Sequence, residues 1–394
     1  MVLDWNEVAL RTTAAAVFDP PLEARNLAIV HVAIFDAVNA ITGEDEPYGT
    51  TRKAGPGVLP PAAAAAAAHR VLVRLYPAQQ ADLDVAYTRS LASLSGGSEQ
   101  RAGVALGEKV AEGVLALRAS DGAGPAATTS PPSSSATTGS TAWVPTPPGF
   151  LAALDPGWGM VTPFVLHSGA QFRPDPPPAP GSEEYSRDFM EIKEIGSAGS
   201  TSRSQAQTDV ARMWIATGPQ NWNPIARQVA IARRLSLSKN ARVFALLSLA
   251  GADAFIAAWD AKFTWNQWRP VTAIRSASGA RPGGSTGDSA WTPLLTTPPF
   301  PDYIAGHTTY GGAAERVLEH LFGRRPGIAL QLRSATGRGV VKSYDTFAQI
   351  SEDIVDARVW GGIHWRTSCL RGRAVGQQVG DYVVDHALLP RRAR

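Results

Sequence analysis

The stretch VFALLSLAGADAFIAAW, residues 243–259, limits the possible folds more than any other part of the chain. It is the most apolar run in the sequence, Asp253 interrupts it, and it is too short to cross a bilayer. It is expected to be a buried helix inside a helical segment 238–267, with other elements packed around it. Elsewhere apolar residues recur mostly at helical spacing, and strand-like alternation is scarce. Helices are predicted over 4–17, 21–42, 60–75, 78–95, 98–119, 203–217, 223–235, 307–322, 343–360 and 368–388. AAAAAAAHRVLVRLYP is a strong helix former that ends at a proline. The fold class expected is all-α, two helical halves with long irregular connections.

Three parts follow from composition along the chain. Residues 1–121 form an N-terminal helical half, 122–182 a Pro/Gly/Ser-rich connection, and 183–394 a C-terminal helical half. The connection contains TTSPPSSSATTGST and DPPPAPGS. It is unusually long for a compact domain. It is expected to wrap the surface as ordered chain, because Trp143, Phe150, Trp158 and Phe164 need burial. A second loop-like stretch covers 276–302, and GRRPG at 323–327 reads as a turn.

The 394 residues carry 44% hydrophobic and 18% charged side chains, which fits a soluble globular protein that is not membrane-integral. A net charge of +3 without a Lys/Arg stripe gives no reason to expect nucleic acid as a partner. The C-terminal RRAR reads as a frayed tail. With Cys369 as the one cysteine, no intrachain disulfide forms, and Cys369 is expected in the core. MVLDWNEV has acids where a signal peptide would have a basic region. A chain whose leader had been removed would read the same, so location stays open.

Three segments of the C-terminal half carry unusual chemistry. In WDAKFTWNQWRP, Lys262 and Arg269 are seven apart, two helical turns, so both are expected on one side of a helix that stops before Pro270. Such a pair alone is ordinarily a solvated basic face, but Trp259, Phe263, Trp265 and Trp268 surround it. Buried cations need an anion. In FPDYIAGHTTYGG, Gly306 and His307 open a helix. Its unpaired N–H groups and dipole favour an anion, and His307 is placed to act as acid or base on it. In DARVWGGIHWRTS, Arg358 and His364 are six apart, and Gly361-Gly362 is expected to break the helix and swing His364 back. Lys262, Arg269, Arg358, the Gly306 N–H and two histidines together describe a pocket for a tetrahedral oxyanion.

Lys-x6-Arg-Pro, Gly-His and Arg-x5-His, in this order, resemble the signature shared by the type 2 phosphatidic acid phosphatases and the vanadium-dependent haloperoxidases. WNEVALRTTAAA, ARNLAIVHVAIFDAVNAI, PGWGMVTPFVL and the HWR after the third motif extend the resemblance, toward the bacterial haloperoxidases, over most of the chain. It implies the helical bundles of that superfamily and a peroxidase-class oxidoreductase. His364 would bind the vanadium of vanadate. Lys262, Arg269, Arg358 and the Gly306 amide would neutralise its oxygens. His307 would take a proton from hydrogen peroxide, and Lys262 would polarise the bound peroxide. Halide, chloride or bromide, would leave as hypohalous acid that halogenates a small organic substrate. Trp259 and Phe300 fall where fungal chloroperoxidases carry the aromatics of the halide site.

Two departures stand out. The family usually has Ser-Gly-His, and Ala305 removes that hydroxyl, with Thr308 the nearby candidate to replace it. The phosphatase pattern opens its third motif with serine and has aspartate four after the last histidine, where this chain has Ala357 and Ser368. The resemblance leaves two alternatives to a haloperoxidase. One is a soluble acid phosphatase with a phosphohistidine intermediate, since phosphate fits a vanadate site. The other is a catalytically weakened oxyanion-binding homologue. A homo-oligomer is compatible with the sequence. An acidic partner for the arginines is needed, and Asp209 and Glu352 are the candidates.

Overall fold

The computed structural model describes the whole chain except residues 17–18, 50–53, 125–126, 128–140, 277–286, 335 and 392–394. Most of TTSPPSSSATTGST, the first part of the loop-like stretch 276–302 and most of the RRAR tail therefore lie outside the described residues. Five helices make up the first part: α1 (Val2–Ala14), α2 (Pro20–Thr42), α3 (Pro60–Leu75), α4 (Gln80–Ala92) and α5 (Ser98–Leu117). Eight follow the connection: α6 (Glu183–Ile195), α7 (Gln205–Met213), α8 (Gly218–Ala232), α9 (Leu237–Trp265), α10 (Pro270–Arg275), α11 (Gly306–Phe322), α12 (Phe347–Trp360) and α13 (Arg366–His386). Between α11 and α12 a hairpin pairs β1 (Leu330–Arg333) antiparallel with β2 (Val341–Tyr344), Leu330 opposite Tyr344.

The apolar run lies at the centre, as its composition requires. Helix α9 starts at an N-cap, Ser236, whose hydroxyl accepts from Lys239 N, and it packs against α2, α11 and α13. Helices α2 and α9 are both long and apolar enough to cross a membrane, but most of each is buried inside the protein. The main hydrophobic cluster runs from Val2 to Leu388 and includes side chains from both helical halves. Asp253, fully buried within α9, accepts from the backbone N–H of Phe164 (2.6 Å), Val165 (2.8 Å) and Leu166 (2.9 Å). One carboxylate thus ties the irregular connection to the central helix. Trp158 and Phe164 of that connection are buried and Trp143 is half-buried, whereas Phe150 projects into solvent, 64% exposed.

Helices α11 and α13 set the distance between the two histidine motifs. A Cβ on Gly312 would strike the Arg373 carbonyl and one on Gly376 the Thr309 carbonyl, so the two backbones touch. Three elements depart from the sequence expectation. Helix α6 was not expected, although Tyr185, Phe189 and Ile192 recur at i, i+4 and i+7 and pack with Trp268, Ile274 and Trp365. The predicted helix 343–360 begins at Phe347 behind a Thr346/Gln349 capping box, and its first residues belong to the hairpin. The segment expected to end at Pro270 ends instead at Trp265, and Pro270 opens α10, where its missing N–H costs no hydrogen bond.

Candidate active site

Trp259 and Lys262 lie in the last two turns of α9, both buried. Lys262 Nζ donates to the carbonyls of Pro301 (2.8 Å) and Asp302 (2.9 Å). Asn266 then takes the left-handed conformation, φ 45° and ψ 41°, and reverses the chain. Arg269 is therefore not two turns further along the same helix, as the spacing predicted; it is the residue before α10. Lys262 and Arg269 meet across a ring. Lys262 Nζ is 4.9 Å and Arg269 Cζ 4.8 Å from the centre of Phe300, which itself stands 4.9 Å from the Trp259 ring. Arg269 Nε donates to Phe300 O (2.7 Å) and Nη1 to Ile363 O (2.7 Å).

Helix α11 starts at Gly306 with Ala305 as N-cap, and no side chain caps its first turn. A Cβ on Gly306 would press on Trp259 and Phe255 at 3.2 and 3.3 Å, so the glycine also makes room for those rings. His307 is half-buried, with Nε2 3.3 Å from the Ala216 carbonyl. Thr308 does not replace the family serine. Its hydroxyl donates to Ala305 O (2.9 Å) and faces Gly372 on α13. The Ala305 methyl sits in an apolar cluster with Val355, Val359 and Cys369.

Arg358, in the last turn of α12, donates through Nη1 to Trp214 O (2.6 Å). The helix breaks at the two glycines. Gly362 has φ 76°, and a Cβ there would collide with the Gly196 carbonyl. Ile363 N then returns to Arg358 O (3.3 Å), and His364 faces Arg269, whose Nη1 is 3.0 Å from Nε2 and 3.3 Å from Nδ1. Segment 214–216 thus braces both Arg358 and His307.

These groups are close enough to shift one another's pKa. Burial first, then Arg269, Lys262, Arg358 and His307, hold His364 well below the ordinary imidazole range. Burial and then Arg358 do the same to His307. Lys262 is lowered by burial and next by Arg269, and burial brings Arg269 and Arg358 down to about 10. Both imidazoles are neutral at pH 7. The acidic partner that the sequence reading lacked is Asp302, completely buried, with Oδ1 3.8 Å from Arg269 Nη1 and 3.1 Å from His364 Nδ1. Burial pushes its carboxyl up to about 7 against the pull of Arg269 and Lys262. Asp209 instead accepts from Gln205 at the surface, and Glu352 pairs with Arg373. The sequence did hold a clue, since Asp302 is the one carboxylate between Asp288 and Glu315 and lies inside the glycine-histidine motif.

The pocket has donors to spare. Arg269 Nη2 and Arg358 Nε are buried without a hydrogen-bond partner among the described residues, and no side chain caps the first turn of α11. Unsatisfied buried donors of this kind cost ~1–3 kcal/mol each unless an acceptor fills them. Three cations, one carboxylate and an open helix start are complementary to a compact, multiply charged oxyanion.

The profile described as "VCPO second helical-bundle domain" matches residues 242–391, a stretch that contains Trp259, Lys262, Arg269, Phe300, Gly306, His307, Arg358 and His364. A vanadium chloroperoxidase of Curvularia inaequalis is 25% identical and aligns over 95% of this chain and 80% of its own. The crystal structure of a bacterial vanadium-dependent iodoperoxidase superposes with a TM-score of 0.84 at 25% identity, over 98% of this chain and 96% of that one. The profile, the curated relative and the iodoperoxidase structure together support a vanadium haloperoxidase. A holo-type bacterial vanadium-dependent chloroperoxidase shares the fold, with a TM-score of 0.72 at 19% identity over 93% and 91% of the two chains. Within the vanadium haloperoxidase fold, this chain combines an alanine before the glycine-histidine pair with a carboxylate lodged against the second histidine.

Proposed function

We propose that this protein is a vanadium-dependent haloperoxidase that uses hydrogen peroxide to oxidise chloride or bromide to a hypohalous acid equivalent, which halogenates a small organic substrate. The observation that carries the reading is the pair of unpartnered buried donors, Arg269 Nη2 and Arg358 Nε, in a chain whose α11 also starts without a side-chain cap. Vanadate, when bound, supplies a Lewis-acid centre that activates hydrogen peroxide without changing oxidation state. His364 would hold it through a ring nitrogen, and Lys262, Arg269, Arg358 and the Gly306 N–H would take its oxygens.

His307 would carry out the proton transfer. The Ala216 carbonyl can only accept, so Nε2 carries the hydrogen and Nδ1 is the basic nitrogen. Its lowered pKa keeps that nitrogen unprotonated at neutral pH. Lys262, over the Phe300 ring and held by two carbonyls, brings a directed positive charge. Phe300 and Trp259 give the pocket an apolar, polarisable wall where a halide can shed water.

One observation favours a second reading, phosphomonoester hydrolysis through a phosphohistidine. Asp302 sets a carboxylate against His364, which answers the missing aspartate at position 368. The two readings are separated by one comparison. Protein given orthovanadate, hydrogen peroxide and bromide is expected to brominate monochlorodimedone. Absence of turnover across a wide pH range, with vigorous hydrolysis of p-nitrophenyl phosphate when vanadate is left out, would replace the first reading by the second.

A further inference from the structure

We propose that Asp302 is a positioning residue for His364: its carboxylate keeps the imidazole hydrogen on Nδ1 and so leaves Nε2, which Arg269 Nη1 now faces, with the lone pair that an oxyanion's central atom would take. The inference deepens the proposed function and rests on it only in taking His364 as the residue that meets the ligand.

The neighbours of the ring lead to this assignment. A guanidinium can only donate, and Arg269 Nη1 stands nearer to Nε2, at 3.0 Å, than to Nδ1, at 3.3 Å. A carboxylate accepts, and Asp302 Oδ1 stands 3.1 Å from Nδ1. Donor against Nε2 and acceptor against Nδ1 select one tautomer. The carboxylate is off the line of a full hydrogen bond, a common state for catalytic contacts before the ligand is engaged. The Asp302 backbone is held from three sides. Lys262 Nζ and Ser368 Oγ both donate to the Asp302 carbonyl, at 2.9 and 3.1 Å, and Asp302 N donates to Gln267 O at 2.9 Å. Ser368 is the position at which the phosphatase pattern has its aspartate. Here that helix contributes a hydroxyl that braces the backbone, and the carboxylate enters from the segment before α11.

Simple charge counting makes the opposite prediction. Asp302 is a negative group beside an anion pocket, so its removal should tighten the binding of every oxyanion. Positioning predicts a split. Orthovanadate, which bonds to nitrogen, loses affinity, while phosphate, held by hydrogen bonds and charge alone, keeps or gains it.

The experiment uses the full chain, labelled with 15N-histidine and measured at one mildly alkaline pH. Long-range 1H–15N spectra are expected to place the His364 hydrogen on Nδ1 in the wild type and to move it, wholly or in part, to Nε2 in Asp302→Ala. Calorimetry is expected to show at least a tenfold loss of orthovanadate affinity in Asp302→Ala with phosphate affinity unchanged or higher. Asp302→Asn, which keeps an acceptor oxygen and loses the charge, should restore most of the orthovanadate affinity. A wild-type His364 with its hydrogen on Nε2 overturns the proposal without any variant. So does a parallel rise of both affinities in Asp302→Ala. If the wild type binds orthovanadate no better than phosphate, the proposed function fails, and the tautomer measurement still decides the role of Asp302.

Discussion

Ala305→Ser asks whether the first turn of α11 is the anion seat. Ala305 is the N-cap residue, φ −69° and ψ 117°, fully buried, and its methyl contacts Val355, Val359 and Cys369. A serine hydroxyl there has three choices, with different signatures. Aimed at the oxyanion, it adds a hydrogen bond to a charged group worth about 1.5–3 kcal/mol, or roughly ten- to a hundredfold in affinity. Turned onto the N–H groups of the first turn, it becomes a helix cap and stabilises the free protein by ~1 kcal/mol, with no gain in anion affinity. Left among the valines, it is an unsatisfied hydroxyl and destabilises by ~1–3 kcal/mol. The expected outcome is the first, because the proposed site has unpartnered buried donors on Arg269 and Arg358 that an oxyanion would satisfy. Phosphate titration by calorimetry reads the affinity, and urea unfolding without phosphate reads the stability. An affinity unchanged within twofold, with stability moved in either direction, would refute the placement of the anion at this helix start.

Two further outcomes follow from the geometry. Gly362→Ala is expected to destabilise by at least ~2 kcal/mol, since φ is 76° and the new methyl collides with the Gly196 carbonyl. It should also displace His364, so phosphate affinity falls in a variant that still folds, and retention of full affinity would count against the glycine break as the device that aims the ring. His31 is buried against Phe244 with Nε2 3.0 Å from Asn6 Nδ2, and burial lowers its pKa from 6.5 to about 3. A lowered imidazole gives stability that is present above pH 6.5 and lost as pH falls toward 3, amounting to about 2 kcal/mol by pH 5. Buried carboxyls such as Asp253, raised to about 6, act in the opposite direction, so the difference between proteins is the informative quantity. His31→Gln, which keeps an acceptor for Asn6, is expected to lose about 2 kcal/mol less than the wild type between pH 8 and pH 5 in urea unfolding. Equal losses in the two proteins would remove His31 as the proton sink.

The chemistry of the pocket was legible in the sequence because it depends on residue type and local spacing. Lysine, arginine and histidine in three ordered motifs, a glycine before His307, and a glycine pair between Arg358 and His364 are properties of short segments. So is the all-helical class, since helical periodicity is local, and so is the central place of an apolar run that cannot face water. Other features needed the folded chain. Asn266 turns Arg269 off the helix that carries Lys262, an outcome that seven-residue spacing does not reveal. Phe150 stays exposed while Trp158 and Phe164 are covered, because burial depends on what lies opposite and not on the residue alone. Asp302 stands at the end of the loop-like stretch 276–302, among prolines. Only tertiary packing sets it beside Arg269 and His364, 33 and 62 residues away in sequence, in a medium dry enough to raise its pKa and make its contact with the imidazole count.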